Sequence, residues 1–244
     1  MPYFPRDFEK SYSRNSSLRK YKKYTIRGQT SDKMKFLGCQ IDLSKWYFLP
    51  REETAFWVKK AIEDCKFEIR KLKIKKPQFL DIFAGTGCIG ISILKKIKNS
   101  FVDFVDVSPA AGEQIKINLK LNKIQNFRYQ IFLSDIFKKL KNKKYHFIFA
   151  NPPYVAKERL FLVQESVKEK EPKIAWWGGK KGLRYIKRFL KGAKFHLKKE
   201  GVIFLEIDPY QVEEIEKILE REKYGKFRFY KDQFRKIRWI KIKN

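Results

Sequence analysis

The chain has 244 residues and carries 57 Lys plus Arg against 27 Asp plus Glu, a formal net charge of +30. With 43% hydrophobic and 16% aromatic residues it can bury a core, which argues against disorder and against loops held only by disulfides. Cys39, Cys65 and Cys88 form no C-x-x-C pair, and His146 and His196 add too few soft ligands for a zinc site, so metal chemistry is set aside.

Residues 1–33 are polar, basic and aperiodic and read as an N-terminal arm. Residues 34–244 read as one domain, in which 34–54 form a β-hairpin lead-in and 55–244 the core. Strands are expected at Met34–Leu43 and Trp46–Leu49, then an amphipathic helix over Ala55–Arg70. Beyond it, strands at Phe79–Phe83, Phe101–Asp106, Phe127–Leu133, Tyr145–Ala150 and Gly201–Ile207 alternate with helices. Those helices are expected at Cys88–Lys96, Pro109–Leu121, near Asp135, Gly182–Leu197 and Pro209–Glu222, before two closing strands. Alternating elements with apolar strands predict an α/β fold with a mostly parallel sheet covered on both faces. Ligands of such sheets bind beyond the carboxyl ends of the strands, which places Gly85, Asp106, Asp135 and Asn151 on one rim.

The longest apolar run, Phe79–Leu94, is interrupted by Asp81, Gly85, Gly87 and Gly90 and falls short of the roughly 20 residues that span a bilayer. The opening Met1-Pro2-Tyr3-Phe4-Pro5-Arg6 lacks the apolar segment of a secretory signal, and sparse cysteine suits a reducing compartment. A soluble, cytoplasmic protein without membrane contact is expected. The charge predicts contact with polyanions such as RNA or the ribosome through counterion release, although lysines spread over polar helix faces are an equally good account.

Gly85-Thr86-Gly87-Cys88-Ile89-Gly90 spells G-x-G-x-x-G between a strand and a helix, and Asp106 ends the next strand, placed to accept hydrogen bonds from two ribose hydroxyls. NAD and S-adenosylmethionine both satisfy that pattern. A pyrophosphate at the helix N-terminus would be repelled by Asp81, four residues before Gly85, whereas a cationic sulfonium would be attracted, so S-adenosylmethionine is the preferred cofactor.

Asn151-Pro152-Pro153-Tyr154 follows the apolar strand ending at Ala150 and faces the same rim. A nitrogen conjugated to a carbonyl or an aromatic ring is a poor nucleophile and must be aimed. The Asn151 side-chain oxygen and the Pro152 carbonyl can accept both N–H bonds of an –NH2 group, two prolines hold that geometry, and Tyr154 can pack over the flat acceptor. Methyl transfer to a planar nitrogen is the predicted chemistry.

These residues resemble the HemK/PrmC family of S-adenosylmethionine-dependent N5-glutamine methyltransferases. The likeness extends to Pro50-Arg51-Glu52-Glu53-Thr54, Asp106-Val107-Ser108-Pro109, Glu171-Pro172, Gly178-Gly179 with Gly182-Leu183, and Leu205-Glu206-Ile207 followed by Gln211, in the family's order across about residues 34–244. It implies a class I, Rossmann-like methyltransferase: a doubly wound seven-stranded sheet with an antiparallel C-terminal strand. The implied substrate is the glutamine of a Gly-Gly-Gln tripeptide in peptide chain release factors, lying against Asn151 to Tyr154. Phe83 and Ala84 stand where the family has Gly-Thr, which moves the backbone contacts onto Gly85, Thr86 and Gly87, and Ile136 stands where an aromatic residue beside the adenine is usual. The family's helical N-terminal domain is represented only by the short basic arm.

The expected cofactor set is Asp81, Phe83, Ala84, Gly85, Thr86, Gly87, Asp106, Asp135, Ile136 and Asn151, and the expected catalytic set is Asn151, Pro152, Pro153 and Tyr154. Arg51 and Glu53 read either as an ion pair or as a closure over the cofactor. Trp176, Trp177 and Cys88 read as packing, and Glu206 as a support for the active-site loops. A nucleic-acid amino methyltransferase acting on adenine or guanine is the alternative, since it would use the same tetrapeptide and suits the charge.

Overall fold

Two apolar layers, one of them rich in aromatic residues, cover the two faces of a seven-stranded sheet. The computed structural model describes residues 33–46 and 48–243, so the basic arm lies outside the described residues. Residues 33–244 cluster as one unit. The chain enters through a hairpin, β1 (Lys33–Phe36) and β2 (Cys39–Asp42), whose two-residue turn Leu37-Gly38 has φ of 49° and 87° at its two positions. Positive φ at both central residues matches the right-handed twist of the strands it joins.

Trp46, Phe48 and Leu49 do not lie in a strand. The Asp42 carboxylate accepts the Ser44 N–H and hydroxyl, and Gln114 Oε1 accepts the N–H groups of Lys45 and Trp46 at 2.7 and 3.0 Å, so side chains rather than a ladder satisfy this backbone. Helix α1 follows from Glu52 to Lys71, with Glu52 and Glu53 in its first turn and Arg70 and Lys71 in its last, as the helix dipole favours. It buries Trp57, Val58, Ala61, Ile62 and Cys65 against the sheet.

The main sheet contains β3 (Gln78–Ile82), β4 (Phe101–Asp106), β5 (Tyr129–Leu133), β6 (Tyr145–Ala150), β9 (Leu197–Glu206), β10 (Lys226–Lys231) and β11 (Ile237–Lys243). Their order is β10-β11-β9-β6-β3-β4-β5, and only β11 runs against its neighbours. One face is covered by α1, α2 (Cys88–Lys96) and α3 (Pro109–Leu121), the other by α5 (Arg184–Ala193) and α6 (Val212–Arg221). The first core includes Trp57, Phe79, Phe104, Phe147, Phe149 and Phe204; the second includes Leu80, Ile148, Phe189, Leu205 and Ile240. Alternate residues of the same strands feed opposite layers, as the two-residue strand period requires.

After β3 the chain moves outward to β4 and β5 and then returns to place β6 on the other side of β3. The crevice at that reversal, above the carboxyl ends of β3, β4 and β6, is where a ligand fits such a sheet. The helix expected near Asp135 is a run of turns, because Ile136 takes φ of 52° and leaves the helical path. Between residues 155 and 183 the chain makes an excursion that hydropathy did not foretell. Two short parallel strands, β7 (Val155–Ala156) and β8 (Trp177–Gly179), bracket a 3-10 stretch over Lys157–Leu162 and the helix α4 (Glu165–Lys170).

Candidate active site

The glycine loop spans Phe83–Gly87 between β3 and α2 and turns through three left-handed residues, Phe83 (φ 61°), Gly85 (φ 52°) and Gly87 (φ 75°). Gly85 N–H donates to Asp106 Oδ2 at 2.9 Å, and Ser108 N–H donates to Asp106 Oδ1 at the same distance. Burial pushes the Asp106 carboxyl up against the pull of those N–H groups. Each carboxylate oxygen keeps a further lone pair for a ligand hydroxyl.

Asp81 lies beneath the loop. Its Oδ2 accepts the Gly90 N–H at 2.8 Å, its Oδ1 has no hydrogen-bond partner among the described residues, and desolvation lifts its pKa to about 8. Burial thus opposes the carboxylate charge expected at this position, and Asp81 supports the loop from below without lining the cleft. Asp135 is held by Arg188 at 2.7 Å and Lys138 at 3.2 Å, and those partners, Arg188 foremost, lower its pKa.

One cleft, open to solvent, is bounded by Phe83, Gly85, Asp106, Asp135, Ile136, Asn151 and Pro153. Seven expected site residues thus meet on one wall system. Asp81, Ala84, Thr86, Gly87, Pro152 and Tyr154 stand outside it: Ala84 N–H bonds the Val105 carbonyl, Asn118 Nδ2 bonds the Thr86 carbonyl, and the Tyr154 hydroxyl donates to Glu206. The cleft also takes in Trp46, Phe48, Ile174, Ala175 and Tyr185. No period or motif marks those residues in the sequence, because the irregular entry segment, the excursion and α5 bring them in through tertiary contact.

The loop after β6 is clamped from outside the cleft. Gln211 Nε2 donates to the Tyr154 carbonyl at 3.0 Å and to the Lys181 carbonyl at 3.1 Å. A Cβ on Gly178 would lie 2.7 Å from the Pro153 oxygen, and one on Gly182 would lie 2.0 Å from the Tyr154 oxygen, so glycine is what lets the backbone of the excursion approach the tetrapeptide. Arg51 pairs with the buried Glu171 at 2.6 Å, which ties the entry segment to the excursion. Trp176 donates from Nε1 to the Glu171 carbonyl, and burial pushes the Cys88 thiol up, which suits a packing role for both.

Among the described residues, those lining the cleft include two carboxylates, Asp106 and Asp135, and no Lys, Arg or His, and the nearby Arg188 and Lys138 are paired with Asp135. A ligand with an apolar ring, a ribose and a positively charged tail finds apolar walls at Phe83, Ile136 and Tyr185 and an acceptor at Asp106. The residues present fit S-adenosylmethionine.

Comparison with known proteins agrees. The methyltransferase small domain model matches residues 64–174. A release factor glutamine methyltransferase of Clostridium acetobutylicum is 32% identical over 225 residues, 91% of this chain and 76% of that protein. One of Fusobacterium nucleatum is 31% identical over 198 residues, 81% of this chain and 54% of that protein, so the chain spans about half of one relative's length and three quarters of the other's. Among solved structures, a ribosomal protein L11 methylase from Lactobacillus delbrueckii subsp. bulgaricus (18% identity, TM-score 0.56, 83% of this chain and 82% of that one) shares the fold. So does a T. thermophilus 16S rRNA N2 G1207 methyltransferase solved with AdoMet and guanosine (16% identity, TM-score 0.60, 87% of this chain and 49% of that one). With a cleft suited to a sulfonium nucleoside and this level of identity across most of its length, the chain belongs to the release factor glutamine methyltransferase family and is an S-adenosylmethionine-dependent methyltransferase.

Proposed function

We propose that this enzyme methylates the side-chain amide nitrogen of a glutamine in a protein, the Gly-Gly-Gln glutamine of a peptide chain release factor, with Asn151, Pro152, Pro153 and Tyr154 as the acceptor loop. The observation that carries the reading is that Asn151 and Asp106 open onto one cleft, so an amide held at the first is offered to a cofactor held at the second. Asn151 Oδ1 and the Pro152 carbonyl accept the two N–H bonds of the acceptor amide and aim its nitrogen. The glycine loop and Asp106 hold the cofactor's ribose and tail, and Phe83 and Ile136 flank its ring. S-adenosylmethionine, when bound, would supply the methyl group: its S–CH3 bond breaks to leave a neutral thioether as the N–CH3 bond forms, and the acceptor nitrogen releases one N–H proton to solvent. Holding the reacting atoms about 3 to 3.5 Å apart is the main catalytic contribution, and no strong base is required.

Partner contact extends to anionic surface near the substrate, such as ribosomal RNA. What supports this is α5: its exposed residues Arg184, Lys187, Arg188 and Lys191 recur at helical spacing, the helix has no acidic residue, and its Tyr185 lines the cleft. A release factor substrate places the enzyme in the cytoplasm, and among the described residues no helix is long and apolar enough to cross a membrane.

Incubation with methyl-labelled S-adenosylmethionine and, separately, release factor, ribosomal protein uL3 and ribosomal RNA tests the reading; a relative from Francisella tularensis, 28% identical over 172 residues, is a ribosomal protein uL3 glutamine methyltransferase. Label in release factor, lost on changing its tripeptide glutamine to alanine, is expected. Label in RNA alone would refute it. Asn151→Ala is expected to abolish transfer while cofactor affinity stays within about threefold, the mark of an interaction made with the acceptor only.

A further inference from the structure

Glu206 is a carboxylate only 1% exposed at the end of β9, and three side chains from two other parts of the chain donate to it. Its Oε2 accepts the Thr54 hydroxyl at 2.8 Å and the Trp57 indole N–H at 2.6 Å, both on α1. Its Oε1 accepts the Tyr154 hydroxyl at 3.0 Å. Tyr154 is therefore held at both ends, its hydroxyl by Glu206 and its carbonyl by Gln211. A buried ionisable group is a costly way to fasten a core, since apolar side chains of the same volume do so at least as well. What a carboxylate adds is direction: two oxygens in one plane set where each donor must lie, and Trp57, stacked on Phe149 and Trp239, cannot swing away.

We propose that Glu206 is a positioning residue for methyl transfer: by fixing the Tyr154 ring it sets the path of the backbone from Asn151 to Tyr154, and through Thr54 and Trp57 it locks that path to α1. The inference rests on the acceptor-loop reading above. Pro152 and Pro153 make the tetrapeptide stiff, so a constraint on residue 154 is transmitted to the Pro152 carbonyl and to the Asn151 side chain with little loss. Among the described residues, the hub's hydrogen bonds reach the site through Tyr154, on the acceptor loop. Asp106 and the glycine loop are anchored separately by the Gly85, Ser108 and Gly90 backbone bonds, so cofactor binding is insulated from it.

The test uses the full chain with release factor as acceptor. kcat, acceptor KM, affinity for S-adenosylhomocysteine by calorimetry and thermal midpoint are measured for Glu206→Gln, Tyr154→Phe, their combination and Thr54→Val. Glu206→Gln and Tyr154→Phe are each expected to lower kcat about tenfold or more with cofactor affinity within about twofold, and the double variant to lose no more than the worse single one, since both break the same link. Thr54→Val, which leaves the Tyr154 contact in place, is expected to lose less than either. The inference is overturned if folded Tyr154→Phe keeps kcat within twofold of the parent, if the two losses multiply in the double variant, or if cofactor affinity falls in step with kcat. Should Glu206→Gln fail to fold, Tyr154→Phe and Thr54→Val still decide. An active Asn151→Ala variant would remove the acceptor-loop reading itself, whereas an inactive one beside fully active Tyr154→Phe and Glu206→Gln would remove only this inference.

Discussion

Gly182→Ala puts one methyl group where the excursion presses on the acceptor loop. The new Cβ would start 2.0 Å from the Tyr154 carbonyl oxygen and 2.4 Å from Gln211 Nε2, whereas real Cβ contacts essentially never fall under 3.0 Å. The obstacle is a backbone oxygen, so relief requires the loop or the excursion to move by about 1 Å. Alanine at φ of 67° adds roughly 1 kcal/mol of strain, and the lost Gln211 bond to the Tyr154 carbonyl about another 1 kcal/mol. Together, about 2 kcal/mol lowers the thermal midpoint of a chain this size by roughly 4 to 8 °C and leaves it folded. Activity should suffer more than stability, because a displacement of about 1 Å at the acceptor site corresponds to about a hundredfold in rate. The assay is steady-state methyl transfer to release factor together with calorimetric cofactor binding, with circular dichroism confirming the fold. A folded Gly182→Ala enzyme with kcat within threefold of the parent would refute the claim that this contact places the acceptor loop.

Other outcomes follow from the cofactor side. Phe83→Gly relieves a bulky residue at φ of 61° but removes a ring that packs edge-on against Tyr185 and Phe189 and faces the cleft. Affinity for S-adenosylhomocysteine is expected to fall about 3- to 10-fold by calorimetry, with little change in thermal midpoint; unchanged affinity would exclude contact between this ring and the cofactor. Asp81 binds a proton in the folded chain up to about pH 8 and, at an ordinary carboxylate value of 3.8, releases it on unfolding, so the native state holds more protons between those limits and stability falls as pH rises through them. Asp81→Asn is expected to flatten that dependence in thermal melts run from pH 5 to 8, and an unaltered slope would assign it to other groups.

Periodicity and punctuation alone determine much of this protein. Short apolar, aromatic-rich runs such as Tyr145–Ala150 favour buried strands, Pro109 marks a helix start, and Gly85 and Gly87 permit a turn that other residues resist. Those local preferences, with the chemistry of Asn151-Pro152-Pro153-Tyr154, point to the rim, the cofactor and the acceptor. Three-dimensional packing decided the rest. Whether Asp81 faces a ligand or supports a loop depends on which atoms surround it, and the glycine backbone at position 90 takes its oxygen. Trp46, Phe48, Ile174 and Tyr185 join the cleft from segments with no regular pattern, held by partners as distant in sequence as Gln114 is from Trp46 and Glu171 from Arg51. The Glu206 hub gathers residues 54, 57 and 154 around a carboxyl group buried far along the chain. Short-range signals report what a residue does to its own backbone; which distant side chain satisfies a buried polar atom is settled only when the layers close on each other.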